Sequence, residues 1–227
     1  MLALPRATPT LRQLPRSTPS ISQSQLWHRR HSSSTSSTSS SLESPSYPGL
    51  YYHPIPSSSP PSYTLSFLPT PAPSLTFSPT TIGTLHTTTT TSLKGNELPD
   101  PTPRQFKDNP EFSQVLQEII KEVIAREGNK GLETMAKTRP EDGWIHITDQ
   151  RTQFDVLSRV PDPSDIIASL LVQNGEIIRE SYQPSGTHRL VTIDGMMKLE
   201  HELFEAVKEK LGRVRGVEEE IAREAQK

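Results

Sequence analysis

Three histidines in the second half of the chain, His146, His188 and His201, have the side chains best suited to acid–base or metal chemistry. An imidazole changes its charge near neutral pH and is a common metal ligand. Trp144 and His146 alternate along one face of a strand-like stretch, and Asp149 lies just beyond its end. This arrangement predicts a candidate site of His146, Asp149 and His188, provided that the two histidines lie on neighbouring strands.

A structural role explains the same polar residues without any chemistry. Asp142 and Asp194 each precede a glycine, as turn residues often do. Asp165 is suited to capping a strand or turn, and His201 falls on a helix rich in solvated charge. His201-Glu202 lacks the second histidine of the HExxH motif, and the chain has no GxGxxG, GxxxxGK or GxSxG sequence and no cysteine. The sequence therefore favours a protein without an active site, and it predicts neither a metal nor a cofactor.

The clearest secondary-structure signal is an amphipathic helix at about residues 110–127. Asn109-Pro110 is a good helix start, and Gly128 is a natural stop. Apolar residues recur at spacings of three and four, which places them on one stripe. This stripe must be covered by the domain's own sheet or by a partner. We interpret it as a candidate partner-binding face formed by Phe112, Val115, Leu116, Ile119, Ile120 and Val123.

After this helix the period changes to two, which predicts strands. Gly143 to Thr148 is one strand, and Asn174-Gly175 and Asp194-Gly195 each predict a hairpin turn between two more. A helix follows from about Glu200, with an inward stripe of Leu203, Val207, Leu211 and Val214. The predicted fold class is α+β, with about five short antiparallel strands flanked by two amphipathic helices.

The N-terminal part of the chain differs in composition from the rest. Residues 1–42 contain five arginines and no acidic residue, which is typical of organellar import presequences, and Arg29-Arg30 is followed by a serine-rich stretch. We predict a mitochondrial targeting presequence at 1–31, a disordered Ser/Thr/Pro-rich linker at 32–104 and a folded domain with a C-terminal helix at 105–227. A plastid transit peptide and a basic tail without address function are the alternatives.

Charge is distributed as unevenly as composition. Up to residue 96 the chain has six basic residues and one acidic residue, so the total charge of −2 leaves −7 for residues 97–227. A body of this charge repels nucleic acid, so we expect no nucleic-acid partner. The apolar runs are too short to span a bilayer, so we expect no transmembrane segment, although peripheral membrane association stays open.

The segments DGWIH, DPSDII, SYQP and HRLVT–DG, within about residues 142–199, resemble a family of nuclear-encoded, fungal-type mitochondrial proteins to which no activity is assigned. The resemblance covers about a quarter of the chain. It implies a mitochondrial location, and it carries over no catalytic residue.

These observations lead to three hypotheses. The first is a soluble protein of the mitochondrial matrix that binds other proteins as an accessory or assembly factor. The second is a small enzyme with a site around His146, Trp144 and Asp149, whose side chains would line one pocket with His188. The third is a cytosolic scaffold that uses proline-rich segments such as Pro54-Ile-Pro56 as ligands for a partner domain.

Overall fold

Strands begin much earlier in the chain than residue 105. The computed structural model describes residues 41–56, 58–74, 78–87, 98–126, 128–139, 141–151, 162–225 and 227. All of them belong to one unit of the chain, Thr38–Lys227. The predicted targeting presequence, 1–31, lies outside the described residues.

Five strands form an antiparallel sheet in the order β1-β2-β3-β4-β5, which we call the N-terminal sheet. Its strand bounds are Leu42–Glu43 (β1), Tyr51–Pro54 (β2), Ser62–Ser66 (β3), Gly83–His86 (β4) and Phe106–Asp108 (β5). The central strand β3 is buried along its whole length. The prediction of a disordered linker at 32–104 is therefore wrong for the described residues of that range.

The reason for this error is that composition conceals both the alternation and the hydrogen bonds of the segment. Tyr52, Leu65 and Leu85 are completely buried, and tyrosine and threonine favour strands. Buried hydroxyl groups find backbone acceptors: Ser66 Oγ donates to the Thr80 carbonyl at 2.9 Å. Satisfied hydroxyls of this kind can enter a core at little cost.

Three helices are present among the described residues: Pro110–Arg126 (α1), Lys130–Thr138 (α2) and His201–Glu224 (α3). The predicted cap of α1 is formed, because Asn109 Oδ1 accepts the Glu111 N–H at 3.2 Å. In α3 the buried position after Leu211 is Arg215, whereas the predicted Val214 is only partly buried. Both predicted helices begin within one residue of the predicted start, whereas one of the four side chains predicted on the inward face of α3 is only partly buried.

A second antiparallel sheet, which we call the C-terminal sheet, has the order β6-β7-β8. Its strands are Gly143–Thr148 (β6), Ile166–Gln173 (β7) and Glu176–Pro184 (β8), and a short 3-10 helix, Pro163–Asp165, precedes β7. Asn174 (φ 51°) and Gly175 (φ 76°) form the predicted tight turn between β7 and β8. The predicted fold class, α+β with antiparallel strands, is confirmed.

The last hairpin joins Val191–Thr192 (β9) to Gly195–Met196 (β10). Gly195 pairs with Thr192, so the turn residues are Ile193 and Asp194, one position earlier than predicted. His188 does not lie on a strand, as the candidate site required, but in the irregular segment before β9. Gly195 has a φ of 108°, and a side chain there would clash with the Tyr47 hydroxyl. The positive φ and the close contact with Tyr47 together require glycine at this strand position.

A single hydrophobic core connects both sheets with α1 and α3. Phe67, which follows β3, packs edge-on against Phe112 of α1 and against Phe204 of α3, at centroid distances of 6.1 and 5.2 Å. Phe112, Leu116, Ile119, Ile120 and Val123 are 0–6 % exposed in this core, and Val115 packs against it. The prediction that this helix face binds a partner is therefore wrong, because α3, strand β8 and the segment around Phe67 of the same chain cover it.

Candidate functional site

A buried group of charges lies at the end of β6. The Arg151 guanidinium lies 2.7 Å from Asp149 Oδ2 and 3.1 Å from Asp165 Oδ1, and all three side chains are at most 4 % exposed. His188 Nε2 lies 3.4 Å from the same Asp149 oxygen. We call these four residues the Arg151 cluster. A buried carboxylate without a cation costs several kcal/mol, so Arg151 is essential to both aspartates.

The Arg151 cluster also joins three segments of backbone. Asp149 Oδ1 accepts the N–H groups of Arg151 and Lys198, both at 2.9 Å. The guanidinium donates to the carbonyls of Gly195 at 3.2 Å and Arg189 at 2.5 Å. The cluster therefore fastens the β9–β10 hairpin to the end of β6. The sequence analysis did not identify Arg151. Its nearest local signal is Asp149, because an aspartate side chain often accepts a hydrogen bond from the N–H two residues later and so forms a turn.

His188 lies at the boundary between this cluster and a cavity of about 200 Å³. Polar side chains in the cavity wall include Asp108, Ser113, Gln117 and Arg189. Partial burial raises the pKa of Asp108, and the charges of Arg189 and His188 oppose that rise. Gln117 is already engaged, because it donates to the Ile167 carbonyl at 3.1 Å and accepts from Tyr182 at 2.7 Å.

His146 lies elsewhere. Its Nδ1 atom is 2.8 Å from Ser169 Oγ on the neighbouring strand, and its side chain lines a different cavity, of about 220 Å³, beside α2. Neither Trp144, Asp149 nor His188 lines that cavity. The structure therefore brings Asp149 and His188 together, as predicted for part of the site, but it does not place His146 with them. In the described part of the chain, no three His, Asp or Glu residues are grouped as a metal site requires.

The most exposed large apolar feature of the C-terminal sheet is a row of three side chains across its strands. Trp144 of β6 pairs with Leu171 of β7, and Leu171 pairs with Ile178 of β8, so the three point to the same face. The indole is 41 % exposed, and Leu171 and Ile178 are half-buried. We call this the Trp144 row. Ile145, Leu170 and Val172 point to the opposite face and belong to the core.

A polar row borders the Trp144 row on the same face. His146 pairs with Ser169, which pairs with Gln183. Between the two rows β8 is irregular, and Ser181 Oγ accepts the Leu171 N–H at 2.7 Å in place of a backbone carbonyl. None of the three side chains of the Trp144 row belongs to the core cluster of the described residues or packs against it. An exposed apolar row of this kind, rimmed by polar groups, is suited to contact with another protein.

The described helices contain no stretch long and apolar enough to cross a bilayer. Compared with known proteins, the chain matches no protein-family model, no curated protein and no solved structure.

Proposed function

We propose that this chain is a mitochondrial matrix protein that binds another protein as an accessory or assembly factor, and that the Trp144 row is its binding surface. The single observation that carries the binding role is the open face of the C-terminal sheet. There an indole lies 41 % exposed in line with two half-buried aliphatic side chains. The partner is still a protein, as the sequence predicts, but the surface that binds it is the C-terminal sheet and not the buried face of α1.

The energetics of interfaces support this choice of surface. Tryptophan is enriched among the residues that dominate binding energy, because its large ring fills a pocket and excludes water. Two further apolar side chains lengthen the contact across all three strands, and the row of His146, Ser169 and Gln183 supplies hydrogen-bonding groups at its rim. The fitting partner surface is a shallow apolar pocket that accepts an indole.

The arginine-rich N-terminal segment supports the proposed location, and the charge of residues 97–227 supports a partner that is a protein. Residues 1–42 are rich in arginine and lack acids, which suits import driven by a negative membrane potential. The charge of −7 over residues 97–227 disfavours nucleic acid as the partner. The resemblance to fungal-type mitochondrial proteins supports the same location.

The two other hypotheses receive less support from the geometry. The proposed enzyme site is divided, because His146 lines one cavity and His188 another. Of the proline segments that the scaffold hypothesis uses, Pro54-Ile-Pro56 is partly inaccessible, because Pro54 is part of β2 and pairs with Tyr63 in the N-terminal sheet. A strand of a folded sheet is not free to act as a polyproline ligand.

The test is affinity purification of the full-length tagged protein from isolated mitochondria, comparing the wild type with Trp144→Ser. We expect the variant to be imported and folded but to lose a partner that the wild type retains. Ile193→Ser is the matched control, because Ile193 is 93 % exposed and lies on the β9–β10 hairpin, outside the Trp144 row. An identical set of bound proteins for all three chains would contradict the binding surface, and an uncleaved protein outside the organelle would contradict the location.

A further inference from the structure

The C-terminal half of α3 has a second exposed apolar surface, which the Trp144 row does not include. Val217 and Ile221 are 57 % and 61 % exposed, and the partly buried Val214 lies one turn before them. At 100° per residue these three side chains fall within a sector of about 60°. We call them the α3 stripe. It covers about two turns near the end of the helix.

The side of α3 next to this stripe is anchored to the N-terminal sheet region. The Arg215 side chain, 4 % exposed, donates to the Thr70 carbonyl at 2.7 Å and pairs with Glu218 at 3.1 Å. Glu218 in turn accepts the hydroxyl groups of Ser78 at 2.6 Å and Thr80 at 2.9 Å. These contacts fix the rotation of the helix. Ile221 borders the anchored side, where it lines a shallow cavity with Pro73 and Ser74, and it is still 61 % exposed.

Charges beside the α3 stripe are arranged in order along the helix. Arg213 lies near its N-terminal end, and Glu220 and Glu224 lie near its C-terminal end, all three exposed. The Arg213 side chain is 67 % exposed, and its pairing with Glu209, one turn earlier at 2.5 Å, is a surface ion pair of the kind that contributes little. Arg213 is therefore free to exchange this partner for another carboxylate.

We infer that the α3 stripe is a self-association surface, on which a second copy of this chain packs its own α3 antiparallel. An antiparallel copy sets Val217 against the partner's Ile221 and Arg213 against the partner's Glu224, twice by symmetry. A parallel copy would set this charged flank against the other flank of the partner's stripe, so Arg213 and Glu224 would not meet. A surface that is basic at one end and acidic at the other is complementary to itself only in the antiparallel arrangement, which gives a closed two-fold dimer.

The experiment is sedimentation equilibrium of the full chain and its charge variants over a wide concentration range. We expect a reversible monomer–dimer equilibrium for the wild type. R213E alone and E224R alone each place like charges together twice, and should weaken the dimer by roughly 2- to 30-fold, from the usual strength of two exposed pairs. An equimolar mixture of the two variants restores both attractions, and so does the double variant R213E/E224R.

Arg223 provides the matched control, because it lies on the same helix but away from the α3 stripe. R223E makes the same charge change and should leave the dimer affinity as it is in the wild type. All variants alter exposed side chains, so thermal unfolding should confirm that they are folded. A chain that stays monomeric at every concentration would overturn the inference, as would a dimer that R223E weakens as much as R213E, or one that mixing R213E with E224R fails to restore.

Discussion

The two sheets bury polar groups of different kinds. Of the twelve buried polar or charged side chains among the described residues, nine lie in residues 44–87 of the N-terminal region, and all of them are serine, threonine or histidine. The remaining three are Asp149, Asp165 and Arg215, which carry formal charge. The N-terminal region therefore buries hydroxyl groups and one histidine, whereas the rest of the fold buries a few charges, each paired with an opposite charge.

This difference has an energetic consequence. A buried hydroxyl needs one acceptor, which a nearby backbone carbonyl supplies, so the N-terminal sheet distributes its polar contacts over many small terms of about 1 kcal/mol each. The Arg151 cluster concentrates its electrostatics in one guanidinium, whose loss affects two carboxylates at once. A region can thus be rich in polar residues and still form a core, provided that the residues are uncharged.

The largest effect should come from Arg151→Met, which removes the cation between two buried carboxylates while keeping an unbranched side chain. We expect the free energy of unfolding to fall by about 3–5 kcal/mol. Urea denaturation measures this change. Arg126→Met is the control, because Arg126 and its partner Glu122 are 67 % and 41 % exposed. Equal losses for both arginines would contradict a special role for the Arg151 cluster.

Leu65→Ala tests whether the N-terminal sheet is part of the cooperative fold. Leu65 lies in the central strand β3 and is completely buried, so its truncation should cost about 2–5 kcal/mol. The measurement is again urea denaturation, with Ile193→Ala as the exposed control. A linker would tolerate Leu65→Ala as easily as Ile193→Ala, and that result would sink the assignment of a folded sheet.

Two glycines should respond to alanine in opposite directions. At Gly216 of α3 an added Cβ meets nothing within 4 Å, so Gly216→Ala should raise the free energy of unfolding by about 1 kcal/mol through helix propensity. At Gly83 of β4 the Cβ would clash with the Lys107 carbonyl and the Phe106 ring, so Gly83→Ala should lower it by about 1–3 kcal/mol. Thermal unfolding gives both signs, and a stabilising Gly83→Ala would disprove the close packing of β4 on β5.

The smallest expected effect is a pH dependence that comes from the N-terminal region. Burial lowers the pKa of His53, although its hydrogen bond to the Leu68 carbonyl opposes the shift. The unfolded chain has a histidine pKa near 6.5, so it binds more protons than the folded chain between that value and the lowered one. The free energy of unfolding should therefore be highest above about pH 6.5 and fall as the pH drops towards the folded pKa.

His53→Gln is the comparison for this last prediction, since glutamine keeps hydrogen-bonding groups but does not titrate there. We expect the difference between its stability and that of the wild type to change across the same pH window. Parallel pH profiles for the two proteins would show that His53 does not contribute to the pH dependence.

Local patterns predicted the elements whose causes are local. The helix from Asn109-Pro110 to Gly128, the alternation of Trp144 with His146 and the turn at Asn174-Gly175 all appear as expected, because caps, period and positive φ act within a few residues. The N-terminal sheet was missed because its strands are short and its hydroxyl groups resemble those of a linker until their acceptors are known.

The candidate site was predictable only in part for the same reason. His188 and Asp149 lie 39 residues apart, and their contact depends on how the β9–β10 hairpin returns to the end of β6. His146 is three residues from Asp149 but lines a different cavity beside α2. Proximity along the chain was therefore a poorer guide than the topology of the sheet.

The sequence by itself determined the α+β class, the helix α1 with its apolar stripe and the tight turn between β7 and β8, because each depends on propensity and periodicity. Only the tertiary structure decided what covers each surface. It placed the stripe of α1 inside the core, left the Trp144 row open and assigned Arg151 to two buried carboxylates. These outcomes depend on contacts between residues far apart in the chain. Such contacts determine which apolar surfaces are buried and which charges are paired, and local sequence patterns do not reveal them.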